Sequence, residues 1–497
     1  MHSRHPTCGS NARLASNLLS LESELYLAHL YGQHPSRYVF SRGAPNFRGI
    51  PARLFLHLIR LAGRFLFDFG RVAPSSASAS RILLFSSSRN QTIVLDPVFR
   101  ALRRIGASAV FLYDGPSSDP GLPDDHCSLR VIGTPRVYVT TLRLLFHRLR
   151  PLLSSLGEVD SRLADWRLDR FLVPHFWVCF FLDSFKERRP SLVIVANDHN
   201  SSNRSLMLVC RSLGIRSAFL QHASASRHLP ALNFDYAFLD GASALAVYSD
   251  IESIRRVGGL PPLEPRIFLS GQKKPVRLGS PLGQSPDRVG FALKAIDPLD
   301  VTRKLIDQLL ERGVRLTIRW HPGQSSSFRR NLSKCLEHVA DVEFSDPARD
   351  SLPAFFSKVC CVLAGNSSIH LEAALAGRPA FYYECWKDSV DDYYGYVAAG
   401  LAKRLNSVDD IVYNWELARR GDFPSEDQVK SIRNYSASYR TEYEGREGEL
   451  VAFTVLQLME SNQSIFFRPF DGSSAFADVR ELALSGSGAD LEGDFRA

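Results

Sequence analysis

Two short segments carry the residue types best suited to chemistry. Ile318-Arg319-Trp320-His321-Pro322 ends an apolar run, and Gly365-Asn366-Ser367-Ser368 opens a stretch that continues as Ile369-His370-Leu371-Glu372-Ala373-Ala374-Leu375-Ala376-Gly377-Arg378-Pro379. The first reads as a buried strand over 314–319. Pro322 cannot continue a ladder, so it fixes a turn that presents His321 at the strand end. The second reads as a strand over 359–364, a tight turn that Gly365 allows, two hydroxyls, and a helix closed by Gly377 and Pro379. Free N–H groups at a helix start, the helix dipole, two Ser hydroxyls and an imidazole together make a cradle for a pyrophosphate. A phosphate beside His321 would accept its N–H and favour its charged form. The predicted donor-phosphate ligands are therefore His321, Gly365, Asn366, Ser367 and Ser368. Glu372, one turn on, could bond ribose hydroxyls. The blander alternatives are a turn histidine without ligand and a simple helix-cap pair. The direction of His370 stays open.

Two polar segments lie upstream. Asn197-Asp198-His199-Asn200-Ser201-Ser202 follows an apolar run over 192–196, and Gln221-His222-Ala223-Ser224-Ala225-Ser226 follows one over 216–220. A histidine at a strand end can serve as general base, because its ordinary pKa of ~6.5 lies near working pH. His222, Asp198 and His199 are the catalytic candidates. Helix capping is the competing account of the first segment, and a hydrogen-bonded wall histidine that of the second.

Other chemistries lack their signatures. No HExxH, no DxD near a strand end of the second unit and no Cys/His ladder argues for a metal, and Asp391-Asp392 before Tyr393-Tyr394 reads as a solvated helix cap. No Walker-type loop and no GxGxxG is present, which counts against ATP hydrolysis by that route and against a nicotinamide cofactor. No cofactor is expected; a nucleotide-activated donor would be a co-substrate. A formal charge of +8 fits anionic partners, without the zinc spacing or basic repeats of a nucleic-acid binder. Eight scattered cysteines with no CxxC point to a reducing compartment. The polar stretch 1–17 lacks an apolar signal core, and no run reaches the ~20 apolar residues of a membrane span. A cytoplasmic location is expected.

The supporting elements form two series. Strands are predicted at 82–85, 107–113, 192–196, 216–220, 236–239 and 267–269, with helices at 97–105 and 203–213 and a long helical stretch over 138–188 broken near Pro151 and Pro174. A Pro/Gly/Ser-rich stretch, 271–287, separates these from strands at 288–293, 314–319, 342–344, 359–364 and 379–383, with helices near 298–312, 326–338, 350–357 and 367–376. Apolar strands alternating with helices predict parallel sheets covered on both faces. The expected fold class is α/β, with ligands in a cleft at the strand C-termini. The expected divisions are a helical extension and linker (1–80), a first Rossmann-like acceptor domain (81–270), a second, donor domain (288–405), C-terminal helices (406–471) and a disordered tail (472–497). In 53–67, Arg53, Arg60 and Arg64 share a flank of an apolar helix. Packing on the main domain competes with lying on the acidic inner membrane face.

The His-Pro pair, followed by Gly-Asn-Ser-Ser and a Glu-Ala-Ala-Leu-Ala-Gly-Arg-Pro helix, resembles the HP and SS motifs of bacterial capsule-polymer transferases. These include the bacterial polysialyltransferases and the CDP-glycerol glycerophosphotransferases of teichoic acid synthesis. The resemblance spans roughly 190–400 and takes in the Asn-Asp-His and Gln-His-Ala segments and Phe234–Gly241, which look like the acceptor half of capsule polysaccharide biosynthesis proteins. It implies a GT-B architecture of two Rossmann-like domains. It makes His321, Ser367 and Ser368 ligands of a nucleotide donor, cytidine-linked in many members, and places the base in the first domain, at His222 or Asp198. Ala223 stands where the family carries glycine. The implied activity is metal-independent transfer of a sugar or glycerophosphoryl unit to a polysaccharide or lipid-linked acceptor. A UDP-sugar 2-epimerase and a non-catalytic glycan-binding assembly or export factor are the alternatives.

Overall fold

In the computed structural model the described residues are 48–69, 81–114, 128–159, 162–186, 189–198, 200–226, 229–259, 261–274, 276, 286–386, 391–420 and 425–460. His199, most of the 1–80 extension, much of the 271–287 linker and the 472–497 tail lie outside them.

The first sheet has seven strands in the order β3-β2-β1-β4-β5-β6-β7: β1 Ile82–Ser86, β2 Ala109–Tyr113, β3 Ser128–Arg130, β4 Leu192–Val195, β5 Arg216–Leu220, β6 Tyr236–Leu239 and β7 Arg266–Leu269. The second has six in the order β10-β9-β8-β11-β12-β13: β8 Arg288–Ala292, β9 Leu316–Arg319, β10 Val342–Ser345, β11 Val359–Ala364, β12 Ala380–Tyr382 and β13 Lys403–Arg404. Every pairing is parallel. Central strands such as β1, β4 and β11 are buried along their whole length, which is why they are runs of Leu, Val, Ile and Cys without alternation. In each sheet the strand order reverses at one place, between β1 and β4 and between β8 and β11. Connections leave in opposite directions there and open a crevice at the strand C-termini.

Helices cover both faces. In the first unit they are α1 Ile50–Asp68, α2 Arg89–Arg104, α3 Pro135–Val159, α4 Arg162–Ser184, α5 Ser201–Leu213 and α6 Ala242–Val257. In the second they are α7 Leu299–Leu310, α8 Ser326–Leu336, α9 Leu352–Phe356 and α10 Ile369–Leu375, followed by α11 Val408–Arg419, α12 Glu426–Tyr435 and α13 Glu447–Glu460. Four expectations change. Pro97 lies inside α2, which starts earlier under a Ser88 cap, and Pro151 and Pro174 lie inside α3 and α4. A proline costs a helix about 3 kcal/mol, but Leu152, Phe171 and Leu172 bury these segments in one apolar cluster that holds them helical. The 391–396 stretch is a turn rather than a helix, with Asp392 at φ 43°. Its carboxylate accepts the N–H groups of Val397 and Ala398. Of the C-terminal helices, α11 and α12 join the cores of the second sheet, while Val451, Ala452, Val455 and Leu458 of α13 complete the core of the first. A side chain at Gly448 would stand 2.6 Å from Pro97 Cβ, so α13 reaches α2 only through this glycine.

Helix α1 packs on the first domain, and its arginines pair with protein carboxylates, Arg60 from an exposed position. Arg53 and Arg60 donate to the buried Asp169 at 3.2 and 2.9 Å, and Arg64 donates to Asp114 at 2.9 Å. Of the two readings of this flank, packing on the main domain and lying on an acidic membrane, the ion pairs belong to the first: its partners are carboxylates on α4 and after β2.

Candidate functional site

Four loops converge at the C-terminal edge of the second sheet: Lys294 follows β8, His321 follows β9, Gly365 follows β11 and Glu384 follows β12. Strands β9 and β11 flank β8, so the His-Pro turn and the Ser-Ser turn stand two strand spacings apart, about 10 Å, on the same edge. His321 Nδ1 accepts the Gly323 N–H at 2.9 Å, which leaves Nε2–H as the ring's donor. Its carbonyl accepts Arg329 Nη2 at 3.0 Å. Protein packed around the ring and the nearby Arg329 lower its pKa, so without a ligand it leans neutral.

Glu384 organises the Ser-Ser turn. Its carboxylate accepts the Asn366 N–H at 2.9 Å, the Tyr382 hydroxyl at 2.9 Å and the Lys294 ammonium at 2.7 Å. The chain bends at Gly365 and Asn366, with Gly365 outside the left-handed region. The glycine is needed because the Glu384 carboxylate occupies the space of a side chain there. The Ser367 hydroxyl accepts the Ile369 N–H at a long 3.4 Å, and Ser368 makes no capping bond with its side chain. Helix α10 has only seven residues, so its dipole offers less than a long helix would. His370 points inward: it is 1 % exposed, its Nε2–H donates to the Gly365 carbonyl at 2.9 Å, and burial lowers its pKa to about 4. Glu372 does not present itself for a ribose. It is buried and accepts Lys274 Nζ at 2.8 Å. Burial opposes the Lys274 charge, but Glu372 outweighs it and holds the ammonium above its ordinary range.

On the first sheet, Asp198 follows β4 and His222 follows the neighbouring β5, both half-buried. Most of the polar run around Asp198 is spent on local structure. Asn200 caps α5 by accepting the Asn203 N–H at 2.9 Å, and its amide donates to Ser87 Oγ at 2.7 Å across the β1/β4 crevice. Asn197 accepts the Asn200 N–H at 2.9 Å, and Asn203 donates to the Asn197 carbonyl at 2.8 Å. Capping therefore explains Asn197, Asn200 and Asn203, and Asp198 stands half-buried in the turn between β4 and α5. After β5, Gln221 is a structural hinge: its side chain accepts the Asp240 N–H at 2.8 Å and donates to the Ala223 carbonyl at 2.9 Å.

The loop bearing His222 is tied to the turn bearing Ser367. Ser226 donates to the Tyr393 hydroxyl at 2.9 Å, Ser224 pairs with the Tyr396 hydroxyl, and the Tyr393 N–H donates to Asn366 Oδ1 at 2.8 Å. Asn366 is thus a positioning residue, with its carbonyl committed to Tyr393. The linker adds a second tie. Lys273 donates to Asp240 at the end of β6 at 2.8 Å, while the adjacent Lys274 reaches Glu372 of the second domain. Sequence reasoning missed Lys274, Lys294, Tyr393 and Tyr396. The reading of Asp391-Asp392 before Tyr393-Tyr394 as a solvated helix cap gives Tyr393 no role, and a lysine in a low-complexity linker gives no signal. Among the described residues, no group of three or more His, Cys, Asp and Glu could hold a metal ion, and no helix is long and apolar enough to cross a membrane.

No family model matches the chain, and no curated protein matches it in sequence. Solved structures do. A putative UDP-N-acetylglucosamine 2-epimerase from Listeria monocytogenes matches with a TM-score of 0.50 at 12 % identity, over 78 % of this chain and 98 % of that one. The UDP-GlcNAc 2-epimerase of Methanocaldococcus jannaschii gives 0.45 at 14 % identity, over 76 % and 99 % of the two chains. The calicheamicin glycosyltransferase CalG4 gives 0.43 at 11 %, over 78 % and 100 %. At these identities the likeness carries architecture alone. Together with two all-parallel sheets whose C-terminal loops meet, it makes the fold GT-B: two Rossmann-like domains facing a cleft.

Proposed function

We propose that the protein is a nucleotide-dependent GT-B transferase. It moves a sugar or glycerophosphoryl unit from a cytidine-linked donor to a cell-surface polysaccharide or lipid-linked acceptor. One observation carries this reading: Ser226–Tyr393–Asn366 joins the His222 loop of one domain to the Gly365–Ser368 turn of the other. A general base and a phosphate cradle on opposite sides of a cleft are what transfer between two bound substrates requires.

His222, with Asp198 on the next strand end, takes the proton of the acceptor hydroxyl as it attacks. The bond to the nucleotide breaks, and negative charge grows on its phosphate oxygens. His321 Nε2–H and the Ser367 and Ser368 hydroxyls donate to those oxygens. Loss of one such donor typically costs about 3 kcal/mol of transition-state stabilisation. Glu384 and Lys294 hold the turn that aims them. The cytidine base and the polymer acceptor follow from the resemblance of the His-Pro and Ser-Ser segments to capsule-polymer transferases.

The test is calorimetric titration with CMP, CDP, UDP and GDP of the wild type and of His321→Ala/Ser367→Ala. Tight binding of a cytidine nucleotide, lost in the double variant, is the expected result. Equal nucleotide affinity in both proteins removes the assignment. An epimerase would need acids free to move protons in the cleft. Of the candidate acids Asp198, Glu372 and Glu384, the last two are held by Lys274 and Lys294, which favours the transferase. Turnover of a UDP-sugar without any acceptor would reverse that preference.

A further inference from the structure

Helix α1 is apolar on both sides. Leu61 is buried beside Arg53, His57 and Asp68, and Ile50, Leu54 and Phe65 pack on the core, while Phe55 and Leu66 are 65 % and 73 % exposed. Ile59 and the capping residue Phe69 are exposed too, which places Phe55, Ile59, Leu66 and Phe69 along the solvent side. A surface helix ordinarily keeps its apolar stripe towards the core, so the outward strip is surplus to packing. The inner face also carries ion pairs: buried Asp169 takes Arg53 and Arg60, and Asp114 takes Arg64.

Helix α3 has an apolar buried face and a second apolar strip outside. It packs against α4 beside α1, and Leu145, Leu152 and Leu156 are buried in a cluster that Ile50 and Leu54 of α1 join. Its outer face shows Val139, Leu142 and Phe146, with Phe146 67 % exposed. Exposed Arg143, His147 and Arg150 lie among them. From Pro135 to Gly157 this helix has no carboxylate; Glu158 and Asp165 sit at the far end, and Asp183 lies 3.9 Å from Arg136. Among the described residues, half of the sixteen large exposed apolar side chains belong to α1, its cap and α3. An apolar strip of this kind on a stable helix marks an interaction surface.

We propose that the outer faces of α1 and α3 dock on an anionic lipid leaflet. Phe55, Ile59, Leu66 and Phe146 enter the acyl boundary, and Arg143 and Arg150 meet the headgroups. Apolar insertion with basic residues alongside is the chemistry of interfacial helices, and anionic lipid supplies the charge the arginines lack. A second copy of this chain is disfavoured, because a two-fold contact would set these arginines against their own kind. This inference goes beyond the nucleotide site. It rests on the first domain's outer helices and stands whether or not the second domain binds a nucleotide.

The full chain is floated with vesicles of phosphatidylcholine alone and of phosphatidylcholine with about 30 % phosphatidylglycerol. The wild type is expected on the anionic vesicles only. Phe55→Glu/Leu66→Glu should lower partitioning about tenfold or more, and Arg143→Glu/Arg150→Glu should abolish the preference for phosphatidylglycerol. All four positions are exposed, so melting temperatures should be unchanged. If the glutamates disturb folding, Phe55→Ser/Leu66→Ser serves the same comparison. A wild type that binds neither vesicle overturns the proposal. So does a wild-type dimer, seen by light scattering, that Phe55→Glu/Leu66→Glu converts to monomer, since the face would then belong to a second copy.

Discussion

Glu384 occupies the space that any side chain at Gly365 would need: a Cβ there would stand 2.9 Å from its Oε1. The carboxylate cannot swing aside freely, because Lys294, Tyr382 and the Asn366 N–H all hold it. Gly365→Ala should therefore cost about 1–3 kcal/mol of stability, the usual range for overpacking a fixed site. It should also weaken nucleotide binding more than Gly377→Ala, which alters only the left-handed end of α10. Urea unfolding and calorimetric titration of the two variants check both statements.

Acid should destabilise the protein through its buried imidazoles. Burial lowers His370, His57 and His175 to about 4 each, so all three are neutral in the folded state. An unfolded histidine protonates near its ordinary ~6.5. Between those values the unfolded chain binds more protons, so stability rises with pH there. It is complete above ~6.5 and is lost as pH falls towards 4, by up to about 3 kcal/mol for each residue. His370→Gln should flatten this part of the urea-midpoint profile and leave the His57 and His175 share in place. An unchanged slope would mean that His370 is charged in the folded protein.

The legible and illegible parts of the chain divide by range of interaction. Strands such as Val359–Ala364 and Arg216–Leu220 were readable because burial on both faces demands unbroken apolar runs. The strand ends of His321 and Gly365 followed from the same runs, since a strand that stops at His-Pro or Gly-Asn has no other place to put those residues. What failed involved partners far away in sequence. Glu372 invited a ribose role until Lys274, 98 residues earlier, came to rest on it. Arg53 and Arg60 read as a basic flank, and their partner Asp169 lies more than a hundred residues further on. Short edge strands such as Lys403–Arg404 are set by pairing alone and carry no pattern of their own.

The Lys274–Glu372 pair should behave as a buried latch between linker and second domain. Side-chain exposures of 17 % and 8 % leave either partner poorly solvated if the other is removed. Lys274→Met should cost about 3–5 kcal/mol, because it strands a buried carboxylate. Lys274→Met/Glu372→Leu should recover much of that loss. Glu372 holds the ammonium above its ordinary range, so the latch contributes fully below the unfolded value of ~10.4 and fades as pH climbs through the folded one. A double-mutant cycle by urea unfolding near neutral pH measures the coupling. Strict additivity would show that the two residues act separately.

The cross-domain tie gives the sharpest kinetic expectation. Ser226 donates to the Tyr393 phenol, while the Tyr393 backbone N–H holds Asn366 beside the phosphate cradle. Tyr393→Phe removes only the phenol and keeps the N–H, so the Asn366 contact survives. The His222 loop would then lose a fixed distance to the donor turn, and an error near 1 Å in such alignment can cost about 100-fold in rate. Tyr393→Phe should lower kcat by about tenfold or more, with nucleotide Kd unchanged, and Ser226→Ala should reproduce it. Their combination should be no worse than either alone, because both cut the same bond. Loss of nucleotide affinity in Tyr393→Phe would instead show that the phenol belongs to the donor site.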